Sequence, residues 1–370
     1  MTEKSAGSCP RCELPPKRVE GAGGLYLWFP LDHIFQKAQS FLQQAGHEHE
    51  LLVAEQCMLL RLVEGELSKA MAGLGGLLTL EEQRDTQALF MRGHAQPMLA
   101  DFGRVTSLFQ FITMVRSGWL IDLIGEERLT THFQPIVSAA DTARIYAHEA
   151  LMRGIEPDGS LVYPPKILNL ARDAGMLFQL DLLARLTAVR QAHRHGIPQR
   201  VFINFNPAAI YDPTHCLRST IQAVDEAGIP RENIVFEIVE SDHTQDLNHL
   251  KAIIAYYREQ GFQVALDDLG AGYSSLNLLH QLRPDFVKLD MELVRNVHLD
   301  PYKGLITRKI LEIAQHLGIQ TVAEGVEYVE ELEWLREHGA DFVQGYLVAK
   351  PTTPPVLQTP SFGLRTGDPV

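Results

Sequence analysis

At 370 residues, with 45% hydrophobic and 21% charged side chains, 28 glycines and 20 prolines, the chain has the make-up of an ordinary globular protein and is long enough for two domains. Thirty-three basic against 46 acidic residues leave a formal net charge of −13, a field that repels duplex nucleic acid and anionic membrane surfaces. The most apolar stretches, Leu51 to Val63 and Leu108 to Ile124, are broken by Glu55, Arg61, Arg116 and Asp122, whereas a membrane span needs about 20 nearly uncharged residues. The opening Met-Thr-Glu-Lys-Ser lacks the apolar core of a signal peptide. With only four cysteines, this points to a reducing, cytoplasmic setting without a disulfide framework.

Residues 1–24 hold Pro10, Pro15, Pro16, a Gly-Ala-Gly-Gly run and both Cys9 and Cys12, and read as a flexible tail. Cys9-x-x-Cys12 with His47-x-His49 offers four zinc ligands or a redox pair; the plainer reading is two free thiols. Residues 25–125 carry apolar side chains three and four apart, as in Leu51, Leu52, Met58, Leu59 and Leu62, the spacing of amphipathic helices. Thr79 and Glu82 have the form of a capping box, and Gly73, Gly75 and Gly76 punctuate the helices before it. This region is expected to be a mostly helical regulatory domain, taking an unknown ligand or protein partner. Its last helix, Val105 to Ile124, would pass signals onward. Cys57 is placed on an apolar helical face.

From about Glu126 to residue 357, short β-branched runs alternate with helical patterns, the signature of βα units. The runs are His132–Val137, Ile145–Leu151, Val201–Phe205, Ile234–Val239, Gln263–Asp267, Phe286–Leu289, Gln320–Ala323 and Phe342–Leu347. Eight strands in this length predict a TIM-like (β/α)8 barrel of the α/β class, preceded by the smaller N-terminal domain. Residues 358–370 read as a second tail, the Pro/Thr-rich character beginning at Pro351.

In such a barrel, functional groups gather where parallel strands end. Here those ends carry Glu149, Asn204, Glu237, Asp267 with Asp268, Lys288, Glu324 and Gln344. A lone carboxylate at a strand end is commonly a helix cap. Acids ending several successive strands would repel one another unless positive charge lay among them. Oxygen ligands select hard cations, so Mg²⁺ or Mn²⁺ is expected, two ions being shared by Asp267 and Asp268. A lysine in an apolar run such as Phe286-Val287-Lys288 needs an acid or an anion. The glycines of Asp267-Asp268-Leu269-Gly270-Ala271-Gly272 suggest a loop that moves while its first residues hold metal.

These residues together resemble the EAL family of cyclic di-GMP phosphodiesterases, over about Glu126 to Pro354. The motifs are Gln134-Pro135-Ile136-Val137, Glu149-Ala150-Leu151 with Arg153, Asn204, Glu237-Ile238-Val239-Glu240, the Asp267 to Ser275 loop, Lys288-Leu289-Asp290, Glu324-Gly325-Val326-Glu327 and Gln344-Gly345-Tyr346. The resemblance implies that Glu149, Asn204, Glu237 and Asp267 hold one metal and that Asp267 and Asp268 hold a second. It implies that Glu324 acts on the attacking water, that Lys288 polarises it, and that Gln344 supports the site. Gln134, Leu151, Arg153 and Gln344 would contact the dinucleotide, and Glu240 would brace the loop. The implied protein is a homodimer that hydrolyses cyclic di-GMP to linear pGpG; a receptor that binds the dinucleotide without cleaving it is the alternative. Leu269 stands where the family has Phe, and Asn206 where Ser is common; neither replaces a ligand.

Overall fold

The computed structural model describes residues 18–53, 56–93, 95–239, 247–270 and 275–362. Their backbone forms two compact units, one of residues 18–128 with 156–180, the other of 129–155 with 181–362. Cys9, Cys12, Glu240 and Ala271 to Ser274, singled out above, lie outside the described residues.

The first unit sets a five-stranded sheet among its helices, which corrects the expectation of a mostly helical domain without a sheet. Strands β1 (Gly23–Trp28), β2 (His49–Val53), β3 (Cys57–Leu62), β4 (Gln87–Arg92) and β5 (Thr106–Ser107) form a sheet in the order β2-β3-β1-β4-β5. β1 runs antiparallel to both β3 and β4, with Leu25 opposite Leu60 on one side and Phe90 on the other. β3 is covered on both faces: Met58, Leu60 and Leu62 enter a core with Ile34, Leu42 and Met71, while Leu59 joins Tyr26, Leu89 and Met91 on the other face. A strand buried on both sides reads as a continuous apolar run, which spacing alone does not separate from a helix. Cys57 accordingly lies buried in β3.

The helical readings that survive are local ones. Thr79 caps helix Leu80–Asp85 through the capping box, with Glu82 N donating to Thr79 Oγ1 at 3.3 Å and Thr79 N donating to Glu82 Oε2 at 2.9 Å. Gly73, Gly75 and Gly76 lie inside helix Glu66–Leu77 and do not interrupt it. At Gly73 a Cβ would stand 2.1 Å from the Phe41 ring, so the missing side chain admits that ring between two helices. The single helix expected over Val105 to Ile124 is instead β5 followed by helices Leu108–Arg116 and Gly118–Gly125, bent by 65°. Ser117 Oγ donates to the Thr113 carbonyl at the break, a back-bond that competes with the helical ladder. Among the described residues, no single helix is long and apolar enough to cross a membrane. The two-residue strand β8 (Leu161–Val162) also belongs to this unit.

The second unit is a closed eight-stranded barrel. Its strands are β6 (Leu129–Ser138), β7 (Ile145–Ile155), β9 (Arg200–Phe205), β10 (Ile234–Val239), β11 (Gln263–Leu269), β12 (Phe286–Leu289), β13 (Gln320–Ala323) and β14 (Phe342–Val343). They follow the order β6-β14-β13-β12-β11-β10-β9-β7, and β6 pairs with β7 to close the ring. All eight expected strands are present, the last shorter than expected, at Phe342–Val343. β6 runs antiparallel to both its neighbours, unlike a barrel of uniformly parallel strands. Residues 351–362, expected to trail away, instead hold to β6 and the turn after it. Phe133 N donates to the Thr352 carbonyl, and Thr142 Oγ1 donates to the Pro360 carbonyl at 2.7 Å and accepts from Phe362 N at 3.0 Å.

Candidate active site

The barrel interior is floored by a ring of buried side chains: Ile136, Ala147, Phe202, Val235, Ala265, Phe286, Val322 and Phe342. Side chains two apart on a strand share a face. The residues two further along each parallel strand are therefore Glu149, Asn204, Glu237, Asp267, Lys288, Glu324 and Gln344. β6 runs the other way, so its contribution lies two residues earlier, at Gln134, which pairs with Glu149 across the β6–β7 ladder. An apolar layer thus carries a polar layer made of one residue per strand.

Lys288 is the centre of that polar layer. It is 1% exposed, and its Nζ lies 2.7 Å from Glu324 Oε1, 2.8 Å from Glu237 Oε1, 3.1 Å from Asp267 Oδ1 and 3.5 Å from Glu149 Oε1. Asn204 Nδ2 donates to Glu149 Oε1 at 3.2 Å, while Gln344 Nε2 donates to Glu149 Oε2 at 2.6 Å and to Gln134 Oε1 at 3.0 Å. Gln134 Nε2 in turn donates to the Ala349 carbonyl at 3.1 Å. Both amides thus hold the carboxylate that closes the ring.

Asp267 and Asp268 would face opposite sides of a regular pleat. Three steps along β11, from Leu266 to Leu269, instead match two along β12, from Val287 to Leu289, and Asp268 adopts φ +56°. The extra residue and its left-handed backbone form a bulge that turns both acids inward. One ligand oxygen from each of Asp267, Asp268 and Glu324 then falls in a group within 4.8 Å. Gly270 follows at φ +111°, where a Cβ would stand 2.3 Å from Leu293 Cδ1.

Burial and mutual repulsion set the charges. Burial drives Glu237 and Glu324 well above the ordinary carboxylate range, against the pull of Lys288, with other acids of the ring adding to the rise. Asp267 is raised for the same reasons, and Asp268 is pushed up to about 6 by burial and by Asp267. At Glu149 burial is outweighed by Lys288 and by the hydrogen bonds from Gln344 and Asn204, which hold it below the ordinary range. Although burial opposes it, the acids keep Lys288 charged.

Five carboxyl groups and three amides gather about a single ammonium among the described residues, and Glu237 Oε2 is buried with no hydrogen-bond partner. A surplus of buried oxygen donors over positive charge suits hard divalent cations and supplies no soft ligand for others. The chemistry of the donor set therefore fits the expected ions.

Beside the ring lies a cleft of about 240 Å³, lined by Gln134, Glu149, Leu151, Glu324, Gln344 and their neighbours. Arg153 is not part of its lining; its guanidinium donates to the Met152 carbonyl at 2.8 Å. The cleft adds two residues that sequence reading passed over, Met291 and Arg295. They follow β12 by a helical turn, so no strand-end pattern marks them.

Residues 118–351 match the family model described as the EAL domain. The chain is 33% identical over 233 residues to the cyclic di-GMP phosphodiesterase PdeR of Escherichia coli K12, covering 62% of this chain and 34% of PdeR. It is 34% identical over 236 residues to the probable cyclic di-GMP phosphodiesterase PdeB of the same organism, covering 62% and 44%. The chain thus spans between a third and a half of these relatives. Among solved structures, a standalone EAL protein from Vibrio cholerae O395, in its c-di-GMP bound form, superposes with TM-score 0.57 at 37% identity, covering 63% of this chain and 95% of that one. Klebsiella pneumoniae BlrP1 shares the fold over 90% of this chain and 97% of its own, with TM-score 0.55 at 22% identity. The match over residues 118–351 and the barrel that they largely form place this chain in the EAL domain family.

Proposed function

We propose that the protein hydrolyses one phosphodiester bond of cyclic di-GMP, giving linear pGpG. The observation that carries this reading is the complete polar ring, with Glu149, Glu237, Asp267 and Glu324 around Lys288. The likeness to cyclic di-GMP phosphodiesterases over most of the barrel supports the choice of substrate.

Glu149, Asn204, Glu237 and Asp267 would hold one Mg²⁺ or Mn²⁺, and Asp267 with Asp268 a second. When bound, such ions lower the pKa of a water and offset the charge of the phosphate. Water adds its oxygen to phosphorus, the bond from phosphorus to the 3′ oxygen breaks, and that oxygen takes a proton from solvent, which balances the one that the attacking water gives up. Glu324, whose raised pKa makes its ionised form a stronger base, accepts the proton of the attacking water from that form. Lys288 remains charged and orients that water beside Glu324. Gln344 keeps Glu149 in place, and Gln134 and Leu151 form the substrate side of the site, which Arg153 would join only by leaving the Met152 carbonyl. From the family likeness we also take the protein to be a homodimer, from its few cysteines a cytoplasmic one, and we assign regulation of the barrel to its N-terminal unit.

The test is pGpG production by the full chain with Mg²⁺ or Mn²⁺, beside a chelator control and Glu149→Ala. Metal-dependent product that disappears in the variant supports the reading. Tight binding of cyclic di-GMP without product would make the chain a receptor.

A further inference from the structure

At the end of the barrel opposite the polar ring lies a cavity of about 790 Å³, against about 240 Å³ for the cleft beside the ring. Small-molecule sites are commonly about 300–1,000 Å³. The cavity opens where β11, β12 and β13 begin, between the last turns of helices Ser275–Leu282 and Pro301–Leu317. All of its lining belongs to the barrel unit.

The two-residue spacing that sets the polar ring above the apolar layer also sets side chains beneath it. Arg200, Gln263 and Gln320 stand two residues before Phe202, Ala265 and Val322 on their strands. Arg200 lies over the Tyr146 ring, 4.9 Å from its centroid, and its Nε donates to Gln263 Oε1 at 3.1 Å. Tyr146 OH donates to Gln320 Oε1 at 3.2 Å. An amide whose oxygen is claimed by a donor keeps its amino group to give. Gln263 and Gln320 both line the cavity, and neither Nε2 has a hydrogen-bond partner among the described residues.

The rim adds charge. Arg283 and His280 line the cavity, and their side chains make no hydrogen bond or ion pair among the described residues. Arg283 holds φ +46°, a left-handed backbone uncommon outside Gly, Asn and Asp. Arg258 fixes that turn, its Nη1 donating to the Leu282 carbonyl at 3.1 Å and its Nη2 to the Arg283 carbonyl. Asp285, the acid of the lining, is already engaged: its Oδ2 accepts from Val264 N at 2.9 Å and lies 3.7 Å from Arg258 Nε. The polar side of the cavity is therefore a set of donors beside an unpaired guanidinium, in a chain of net charge −13.

The remaining wall is aliphatic. Leu279, Pro284 and Ile319 are buried, while Ile313 and Leu317 are 37% and 60% exposed. No aromatic side chain lines the cavity, so it lacks the stacking surface on which a nucleobase rests. Donors beside an aliphatic wall suit a head group that only accepts hydrogen bonds, joined to an apolar chain.

We propose that this cavity binds a medium-chain aliphatic carboxylate, its oxygens accepting from Arg283, Gln263 and Gln320 and its chain lying against Leu279, Ile313 and Leu317. The site shares no residue with the cleft beside the polar ring, and so stands or falls apart from the proposed action on cyclic di-GMP.

The experiment is calorimetric titration of the full chain with octanoate, butyrate, octanol and octyltrimethylammonium, in wild type, Arg283→Asn and Gln320→Glu, with thermal unfolding as a control for folding. One octanoate is expected per chain. Each methylene withdrawn from water strengthens binding about fourfold, so butyrate should bind at least a hundredfold more weakly. Octanol and the cation, which lack the anionic head, should be at least tenfold weaker than octanoate. Asparagine tolerates the backbone of Arg283, and Arg283→Asn is expected to weaken octanoate at least tenfold while leaving octanol unchanged. Gln320→Glu still accepts from Tyr146 OH but replaces the amino donor by an oxygen, and is expected to abolish octanoate binding with octanol again unchanged. If either variant unfolds early, Leu317→Asp takes its place, at an exposed position where an acid would repel the carboxylate. Octanoate that does not bind, that binds at many sites as a detergent would, or that binds equally well in the variants overturns the proposal. Octyltrimethylammonium binding as tightly as octanoate also overturns it, because the aliphatic wall alone would then account for binding.

Discussion

Asp267 and Asp268 are consecutive in β11, yet both present a carboxylate oxygen to the same 4.8 Å group with Glu324. The bulge opposite Lys288 and the left-handed backbone of Asp268 make this arrangement possible. Asparagine tolerates that backbone. Asp268→Asn is therefore expected to keep the fold and to lose metal, with Mn²⁺ affinity reduced at least tenfold and turnover reduced with it. Calorimetric titration of the variant checks this; wild-type affinity would mean that Asp268 is not a ligand.

Lys288 neutralises a ring that has no other described cation within reach. Its replacement by Met leaves buried carboxylates unpaired, a loss of about 3–5 kcal/mol in the metal-free protein. Saturating Mg²⁺ or Mn²⁺ should return part of that stability while turnover stays low. Denaturant unfolding with and without metal reads both effects, and a variant as stable as wild type without metal would contradict the central role given to Lys288.

Metal binding is expected to release protons, because burial and neighbouring acids raise Glu237, Glu324, Asp267 and Asp268. Affinity should rise as pH passes upward through about 6, the value to which Asp268 is pushed. For the metal-free fold the sign is opposite. A carboxyl group raised in the folded state binds more protons there than when unfolded, so its stabilisation is full below the unfolded pKa and is lost as pH climbs through the folded one. For Asp268 that window runs from about 4 to about 6. Calorimetry in buffers of different ionisation enthalpy measures the proton release, and denaturant unfolding of wild type against Asp268→Asn across that window isolates the second effect. Zero proton release would refute the first.

Gly270 combines φ +111° with a Cβ position 2.3 Å from Leu293 Cδ1. Gly270→Ala should cost about 1–3 kcal/mol through backbone strain and lower turnover by disturbing Asp268 two residues earlier. Thermal unfolding and steady-state kinetics report these separately; wild-type turnover would show that the segment tolerates the shift.

Gln344 holds Glu149 at 2.6 Å and Gln134 at 3.0 Å. Gln344→Ala should let the Glu149 pKa rise and weaken metal binding severalfold, with the acidic limb of the pH–rate profile moved upward. A profile superimposable on wild type would assign Gln344 to packing alone.

Much of the barrel was legible in the sequence because it rests on local pattern. Each strand alternates between an outer face and an inner one, so Phe202 and Asn204, Phe286 and Lys288, or Val322 and Glu324 mark a strand and its functional end within a few residues. The Thr79–Glu82 cap was legible for the same reason, since its partners are three residues apart. The N-terminal sheet was not, because β1 pairs with β3 and β4 across some 30 and 60 residues, and a strand covered on both faces leaves no alternation to read.

The residue types and their two-residue spacing, set by the pleat of a strand, therefore determined which eight side chains crown the barrel. Only long-range pairing decided how they meet: the reversal of β6 that brings Gln134 to Glu149, the bulge that turns Asp268 inward, and the packing that sets Arg295 beside Glu327 from 32 residues away. Those relations depend on register between segments far apart in the chain, and that register is fixed only when the core closes.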